Sequence, residues 1–205
     1  MVNITLLPAT RVQAYYDQIV EVYRSAFTIP PYNDDLGDVL TFSGRLPYHA
    51  RWQGFRCVVA FNQAEDTPTG TPGLEPPLPG SPDVVGFAYG FTSRPENWWR
   101  ELVTAEMNPL TAQEWMEDCF EFVELAVAPA YQGRRIGGQL HDALLAGVSH
   151  RTAVLSTLQA ETNALHLYRK RGWVNLLENF KFPGIPLPFL IMGLKIVHNI
   201  DHQSR

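Results

Sequence analysis

Hydrophobic residues change their period several times along this chain, and each change marks an element. "VNITLL" (2–7) reads as a strand. Val12, Tyr16, Ile19, Tyr23 and Phe27 then recur at the spacing of one helix face. Thr10 and Gln13 have the spacing of a capping box at its start. Pro30 and Pro31, in "TIPPYNDD", stop that helix because proline lacks an N–H and clashes with the preceding turn. A less regular helical stretch runs from about Asp35 to Leu46, and Gly54 ends the region. "FRCVVAF" (55–61) alternates as a strand. "VVGFAYGF" (84–91) does so more clearly, with Val85, Phe87, Tyr89 and Phe91 on one side and Val84, Gly86, Ala88 and Gly90 on the other.

The second half predicts helices in "ENWWRELVTAEM" and "LTAQEWMED", then a strand in "FEFVELAVA" (120–128). That strand leads through "YQGRRIGGQL" (131–140) into a helix carrying Leu140, Leu144 and Val148. "TAVLSTLQA" (152–160) is a strand, "NALHLYRKRG" (163–172) a helix stopped by Gly172, and "WVNLLENFKF" and "FLIMGLKIV" are closing strands. The order predicts an α/β (α+β) fold, a mixed sheet with helices on it. The stretch 63–82 holds six of the sixteen prolines and three glycines; it reads as a long hairpin loop inserted into a single domain spanning 1–205.

Composition narrows the class. A chain of 205 residues with 45% hydrophobic and 18% charged residues suits one globular domain. A formal charge of −5 argues against general nucleic-acid binding, which needs a basic field. The best apolar run, "IPLPFLIMGL", is short and broken by Pro186 and Pro188, so no membrane span is expected. The N-terminus lacks the pattern of a signal peptide. Cys57 and Cys119 read as buried free thiols, and the expected setting is reducing and cytoplasmic. No His/Cys/Asp/Glu grouping has metal-ligand spacing, so no metal is expected. His141 and His166 read as surface groups on helices, and Trp98 and Trp99 as packing residues that could also line an acceptor pocket.

"YQGRRIGGQL" is unusual in an acidic chain. Gly133 and Gly138 have the glycine spacing of a P-loop, but Gln139 and Leu140 stand where Lys and Ser or Thr are required. The dinucleotide fingerprint fails because Arg135 takes the middle glycine position. The general physics remains: a strand, a glycine-rich turn and a helix leave unpaired N–H groups facing outward, and the helix dipole favours an anion there. On these residues alone, an anion site and a solvated turn are equally open.

The wider segment resolves that choice by resemblance. "ELAVAPAYQGRRIGGQLHDALL" resembles the acetyl-CoA motif of the GNAT superfamily of N-acetyltransferases: a strand ending in a small hydrophobic triplet and a proline, then [QR]-x-x-G-x-[GA], then a helix. Gln132 and Gly137 match its ends, and Arg135 replaces its first glycine. "NALHLYRKRGW" resembles a second family motif through Ala164, Tyr168, Gly172 and Trp173; Glu161 stands where the family usually has Asn, and Asn163 lies two residues later. The resemblance covers residues 120–174. It implies the GNAT fold and transfer of an acetyl group from acetyl-CoA to a primary amine by direct attack. It implies that the backbone of Leu125, Ala126 and Val127 pairs with the pantetheine arm. By the same resemblance Gln132, Gly133, Arg134, Arg135, Ile136, Gly137 and Gly138 cradle the pyrophosphate, Asn163 adds a coenzyme contact, and Tyr168 is the general acid.

The base is a choice between Glu121 and Glu124. Alternation puts Glu121 with Val123, Leu125 and Val127, and Glu124 with Phe120, Phe122 and Ala126. Both faces are apolar, so either carboxylate could have a raised pKa, and either could instead be paired with an arginine or backbone group. In the histone-acetylating branch the base lies six residues before the valine of the triplet, which gives Glu121; a bulge would favour Glu124. "FTIPPYNDD" falls where the family builds its acceptor wall, so Tyr32, Asp34 and Asp35 are candidates to meet a cationic amine. The acceptor is a small-molecule or protein amine, and homodimer formation stays open. A catalytically idle acyl-CoA-binding sensor on the same fold is the rival reading, and a plain α/β interaction module a third.

Overall fold

The computed structural model describes residues 1–62 and 83–197. The proline-rich stretch 63–82, read above as a hairpin loop, lies outside the described residues. Seven strands form one mixed sheet: β1 (Val2–Leu7), β2 (Arg56–Asn62), β3 (Asp83–Thr92), β4 (Cys119–Val127), β5 (Thr152–Leu158), β6 (Val174–Phe180) and β7 (Phe189–Lys195), in the order β1-β2-β3-β4-β5-β7-β6. β4 and β5 run parallel over Cys119–Glu121. The pairs β1–β2, β2–β3, β5–β7 and β6–β7 are antiparallel. The flanking helices are α1 (Ala9–Val12), α2 (Tyr16–Phe27), α3 (Leu36–His49), α4 (Trp98–Glu106), α5 (Pro109–Met116), α6 (Ile136–Leu145) and α7 (Asn163–Lys170).

Two compact units divide the chain, Met1–Phe91 with Val123–Ala146, and Thr92–Phe122 with Gly147–Arg205. In the first, α2 buries Ile19, Val22, Tyr23 and Ala26, and α3 buries Val39, Phe42, Leu46 and His49. These stripes meet Cys57, Val59 and Phe61 of β2 and Phe87, Tyr89 and Phe91 of β3 in one core cluster. Burying an aromatic or branched aliphatic side chain contributes roughly 1.5–3 kcal/mol, so this cluster anchors both helices to the sheet. α6 packs close to β3 because Gly86 lacks a side chain: a Cβ there would lie 3.0 Å from Leu140 Cδ1 and 3.1 Å from the Ala126 carbonyl.

Three local expectations need correction. Thr10 and Gln13 form no capping box; Pro8 takes the N-cap without a side-chain bond, and a 3₁₀ turn at Gln13–Tyr15 separates α1 from α2. α3 continues past Leu46 to His49 with Pro47 inside its last turn. Proline cannot donate to the carbonyl four residues back, and the Tyr16 hydroxyl donates to that carbonyl, on Ser43, at 3.0 Å. In β3, Ala60 pairs with Gly86 but Phe61 pairs with Val84, so Val85 is the extra residue of a bulge. Val84, rather than Val85, therefore joins Phe87, Tyr89 and Phe91 in this cluster, and Val85 is buried outside it.

The second unit has its own core of Val103, Met107, Met116, Cys119, Val154, Phe180, Phe182 and Ile191. Trp115 covers Gly193 of β7, where a Cβ would come within 2.5 Å of its ring. Both cysteines are free and buried; burial pushes the thiol of Cys57 up to about 12 and that of Cys119 up to about 11.

Candidate active site

β4 ends at Val127 and passes through a 3₁₀ turn, Pro129–Tyr131, into the segment before α6. Gln132 folds back, and its Nε2 donates to the Val127 carbonyl at 3.0 Å, tying the turn to the strand end. Gly133 has φ +74°, and Arg135, the N-cap of α6, has φ +65°. The first glycine of the motif is thus replaced by a residue that still takes the left-handed backbone a glycine prefers. No side chain caps α6. Among the described residues, the N–H groups of 135–138 meet no protein acceptor; Gln139 donates to the Arg135 carbonyl at 3.2 Å. Arg134 and Arg135 are exposed, with the Arg134 guanidinium 5.1 Å from the centre of the Tyr131 ring. The turn therefore offers a crown of backbone donors, two cations and the positive end of a helix.

The same unit contains a polar cluster on the other side of β4's chain. Glu124, its side chain 13% exposed, accepts from Arg45 Nη2 at 3.0 Å. The Tyr23 hydroxyl donates to Asp34 Oδ2 at 2.6 Å. His49 Nδ1 lies 3.3 Å from the Tyr89 hydroxyl. Burial pushes the Glu124 carboxyl up from 4.5 to about 7; Arg45 opposes this rise and Asp34 adds to it. Burial likewise raises the Asp34 carboxyl, against the Tyr23 hydrogen bond. His49 is pushed down to about 4 by burial and by the Arg45 cation, so it is neutral near pH 7.

The other expected residues fall in different settings. Glu121, in the second unit, is buried and accepts from Ser93 Oγ at 3.2 Å. Tyr168 is buried, its ring edge-on to Phe122 at 6.1 Å and to Trp173 at 5.8 Å. Asn163 is the exposed first residue of α7, whose N-cap, Thr162, accepts from the Leu165 N–H at 3.1 Å. Tyr32 packs edge-on against Phe27 at 4.7 Å. Asp35 caps α3, accepting from the N–H groups of Gly37 and Asp38 in a reciprocal box with the Asp38 side chain. His141 is buried rather than superficial, because it sits on the packed side of α6 beside Leu140; its Nδ1 lies 2.8 Å from Asp142 Oδ1. His166 is exposed, 3.2 Å from Glu161. Trp98 stacks on Phe182, and Trp99 packs on the second core with its Nε1 donating to Ser156 Oγ at 3.3 Å. Among the described residues, no group of three or more His, Cys, Asp or Glu could hold a metal ion, and no helix is long and apolar enough to cross a membrane.

The family model of the GNAT acetyltransferase domain matches residues 84–175, which include β4, the turn, α6 and α7. A GCN5-like protein acetyltransferase of Mycobacterium tuberculosis is 31% identical over an alignment covering 71% of this chain and 76% of that protein. The chain belongs to the GNAT family of acetyltransferases. Solved GNAT structures share the fold. A chain of the NatC complex, crystallised with Gag peptide and CoA, superposes with a TM-score of 0.59 at 14% identity, over 96% of this chain and 99% of that one. An aminoglycoside 6'-acetyltransferase type Ii does so with a TM-score of 0.59 at 16% identity, over 96% and 98% of the two chains. Acetyl-CoA is the acyl donor of the GNAT family, and acetyl transfer is its chemistry.

Sequence reasoning passed over Arg45, Tyr23, Tyr89 and His49 of this GNAT chain. Tyr23 and Tyr89 were absorbed into apolar stripes. Arg45 carried a usable signal: it falls three residues after Phe42 and one before Leu46, so a charge sits at the margin of a buried helix face. Such a charge is rarely left without a partner.

Proposed function

We propose that this protein transfers the acetyl group of acetyl-CoA to a primary amine by direct attack, with Glu124 as general base and Tyr168 as general acid. The observation that carries the reading is the Glu124 carboxyl, withdrawn from water and pushed up to about 7. A base matched to neutral pH can accept a proton from an ammonium ion and release it again. The unpaired N–H groups before α6 fit the pyrophosphate of the coenzyme, with Arg134 and Arg135 adding charge. The backbone of Leu125–Val127 would hold the pantetheine arm.

Glu124 takes a proton from the acceptor's ammonium group, and the freed lone pair attacks the thioester carbonyl carbon. The C–N bond forms, the C–S bond breaks, and the Tyr168 hydroxyl gives its proton to the departing thiolate; the proton shed by the new amide nitrogen replaces the one Tyr168 gave, and Glu124 releases its own proton to water. Glu121 holds Ser93 and is not needed as a base in this scheme. Asp34 and Tyr32 remain on the acceptor side, whereas the Asp35 carboxylate serves the start of α3. The acceptor is an amine of a protein or a small molecule. The mycobacterial relative is a protein acetyltransferase and one structural neighbour modifies aminoglycosides.

The test is thiol release from acetyl-CoA across a panel of peptide, amino-acid, polyamine and aminoglycoside amines, beside calorimetry with acetyl-CoA alone. The proposal expects binding and turnover on at least one amine. Binding without turnover on any amine favours the sensor reading. Absence of binding at millimolar ligand removes the coenzyme site.

A further inference from the structure

Arg45 lies outside both sequence motifs, yet α3 delivers it to the one carboxylate that the proposed chemistry needs. The helix is held by Phe42, Leu46 and His49 on the core, by Asp35 at its start and by the Tyr16 hydroxyl near its end. This leaves the guanidinium little choice of direction. Its Nη2 reaches Glu124 at 3.0 Å, and its Nε is buried without a hydrogen-bond partner among the described residues. The guanidinium also hydrogen-bonds the Tyr89 side chain, so β3 and β4 together fix this arginine beside Glu124, at the cost of one unsatisfied donor. The charged and titratable groups around the Glu124 carboxylate are Arg45 from α3, Asp34 from the preceding turn, Tyr23 from α2 and Tyr89 from β3, with His49 neutral next to Arg45. Arg45 and Asp34 oppose each other in sign.

Resting on the reading of Glu124 as the base, we propose that Arg45 is a positioning residue that orients the Glu124 carboxylate and, against Asp34, governs how readily it takes up a proton. Arg45 touches neither the thioester nor the departing thiolate in this scheme. Its effect passes through Glu124. Arg45 reaches Glu124 through one N–H, and the rigid plane of the guanidinium fixes the direction of that bond, which a lysine's rotating ammonium does not.

The experiment is a carbon-13 carboxyl NMR titration of Glu124 in the full chain, assigned by its disappearance in Glu124→Gln, with pH profiles of thiol release measured in parallel. In Arg45→Met the Glu124 titration should move to higher pH by about one unit, because a nearby cation is lost. In Asp34→Asn it should move to lower pH, because a nearby anion is lost. Arg45→Lys should restore most of the titration midpoint yet keep a reduced kcat, with KM for acetyl-CoA unchanged. A merely structural arginine would not produce shifts of opposite sign from Arg45→Met and Asp34→Asn. Shifts in the same direction, or none, overturn the proposal. If Arg45→Met does not fold, Arg45→Gln, which also removes the cation, is titrated in its place against Asp34→Asn. If the titrations move as expected while Glu124→Gln keeps the wild-type pH–rate profile, the base assignment fails and Arg45's hold on the carboxylate stands.

Discussion

The turn before α6 and the polar cluster around Glu124 occupy one compact unit and handle charge in opposite ways. The turn, exposed from Gln132 to Arg135, builds its positive character from backbone: four consecutive N–H groups, 135–138, without protein acceptors among the described residues. It contributes a fixed field with little dependence on pH. The cluster is withdrawn from water and works through side chains, each partnered and each perturbed by the others. Backbone donors suit an anion that is always charged. Buried side chains suit a proton that has to move. The contrast assigns affinity to the turn and reactivity to the cluster, and each can be disturbed separately.

The largest expected effect comes from Glu124→Gln. Thiol release near neutral pH should fall by roughly a hundred- to a thousandfold, the lower part of the range for one acid–base group, and recover as rising pH deprotonates the amine unaided. Acetyl-CoA affinity, measured by calorimetry, should change little. The same variant tests the burial of the carboxyl. The folded-state value of about 7 lies above 4.5, so the folded protein keeps a proton that the unfolded chain releases, and stability declines as pH rises through that interval. Glutamine cannot lose a proton. Glu124→Gln should therefore melt close to wild type at pH 4 and higher than wild type at pH 8, by on the order of 3 kcal/mol at most. Equal melting at both pH values would show that the carboxyl is not perturbed.

A smaller effect is expected at the turn. Replacing Arg134 and Arg135 together by alanine should weaken acetyl-CoA binding by about tenfold, with the loss greatest at low ionic strength and kcat at saturation nearly unchanged. A drop in saturated kcat without loss of affinity would break the division between turn and cluster. The smallest effect is Arg135→Gly. Left-handed backbone costs a non-glycine residue roughly 1–2 kcal/mol, and glycine returns part of that through the freer unfolded chain. Chemical denaturation should show a net gain of about 0.5 kcal/mol, together with a few-fold weaker grip on the coenzyme. A loss of stability would mean that the Arg135 side chain supports the turn in its own right.

The two regions also differ in how far they can be read from residues alone. The turn is local: strand, glycines and helix follow one another within "AVAPAYQGRRIGGQL", and spacing alone identifies the donors. Glu124 could be shortlisted for the same reason, since it lies on the strand that feeds the turn. Its partner could not. Arg45 lies 79 residues from Glu124 in sequence, and only the packing of α3 on β3 and β4 joins them. Strict alternation misassigned Val85 because a bulge is a property of two paired strands, seen only when Phe61 meets Val84. Thr10 and Gln13 matched a capping pattern, but Pro8, with φ already suited to a helix entry, came first. His141 was misread because one buried position beside Leu140 cannot be distinguished from an exposed one without knowing the width of the helix's packed face.

The burial of Cys57 and Cys119 has a consequence for the chemistry of handling this protein. These are its only two sulfhydryl side chains. Nucleophilic sulfur is the thiolate, and values near 12 and 11 leave almost none of it at neutral pH. Disulfide-exchange dyes and maleimides should therefore spare the native fold and react with it only as it opens. A colorimetric thiol reagent can stay in the cuvette throughout turnover, and a fluorescent maleimide becomes a direct reporter of unfolding.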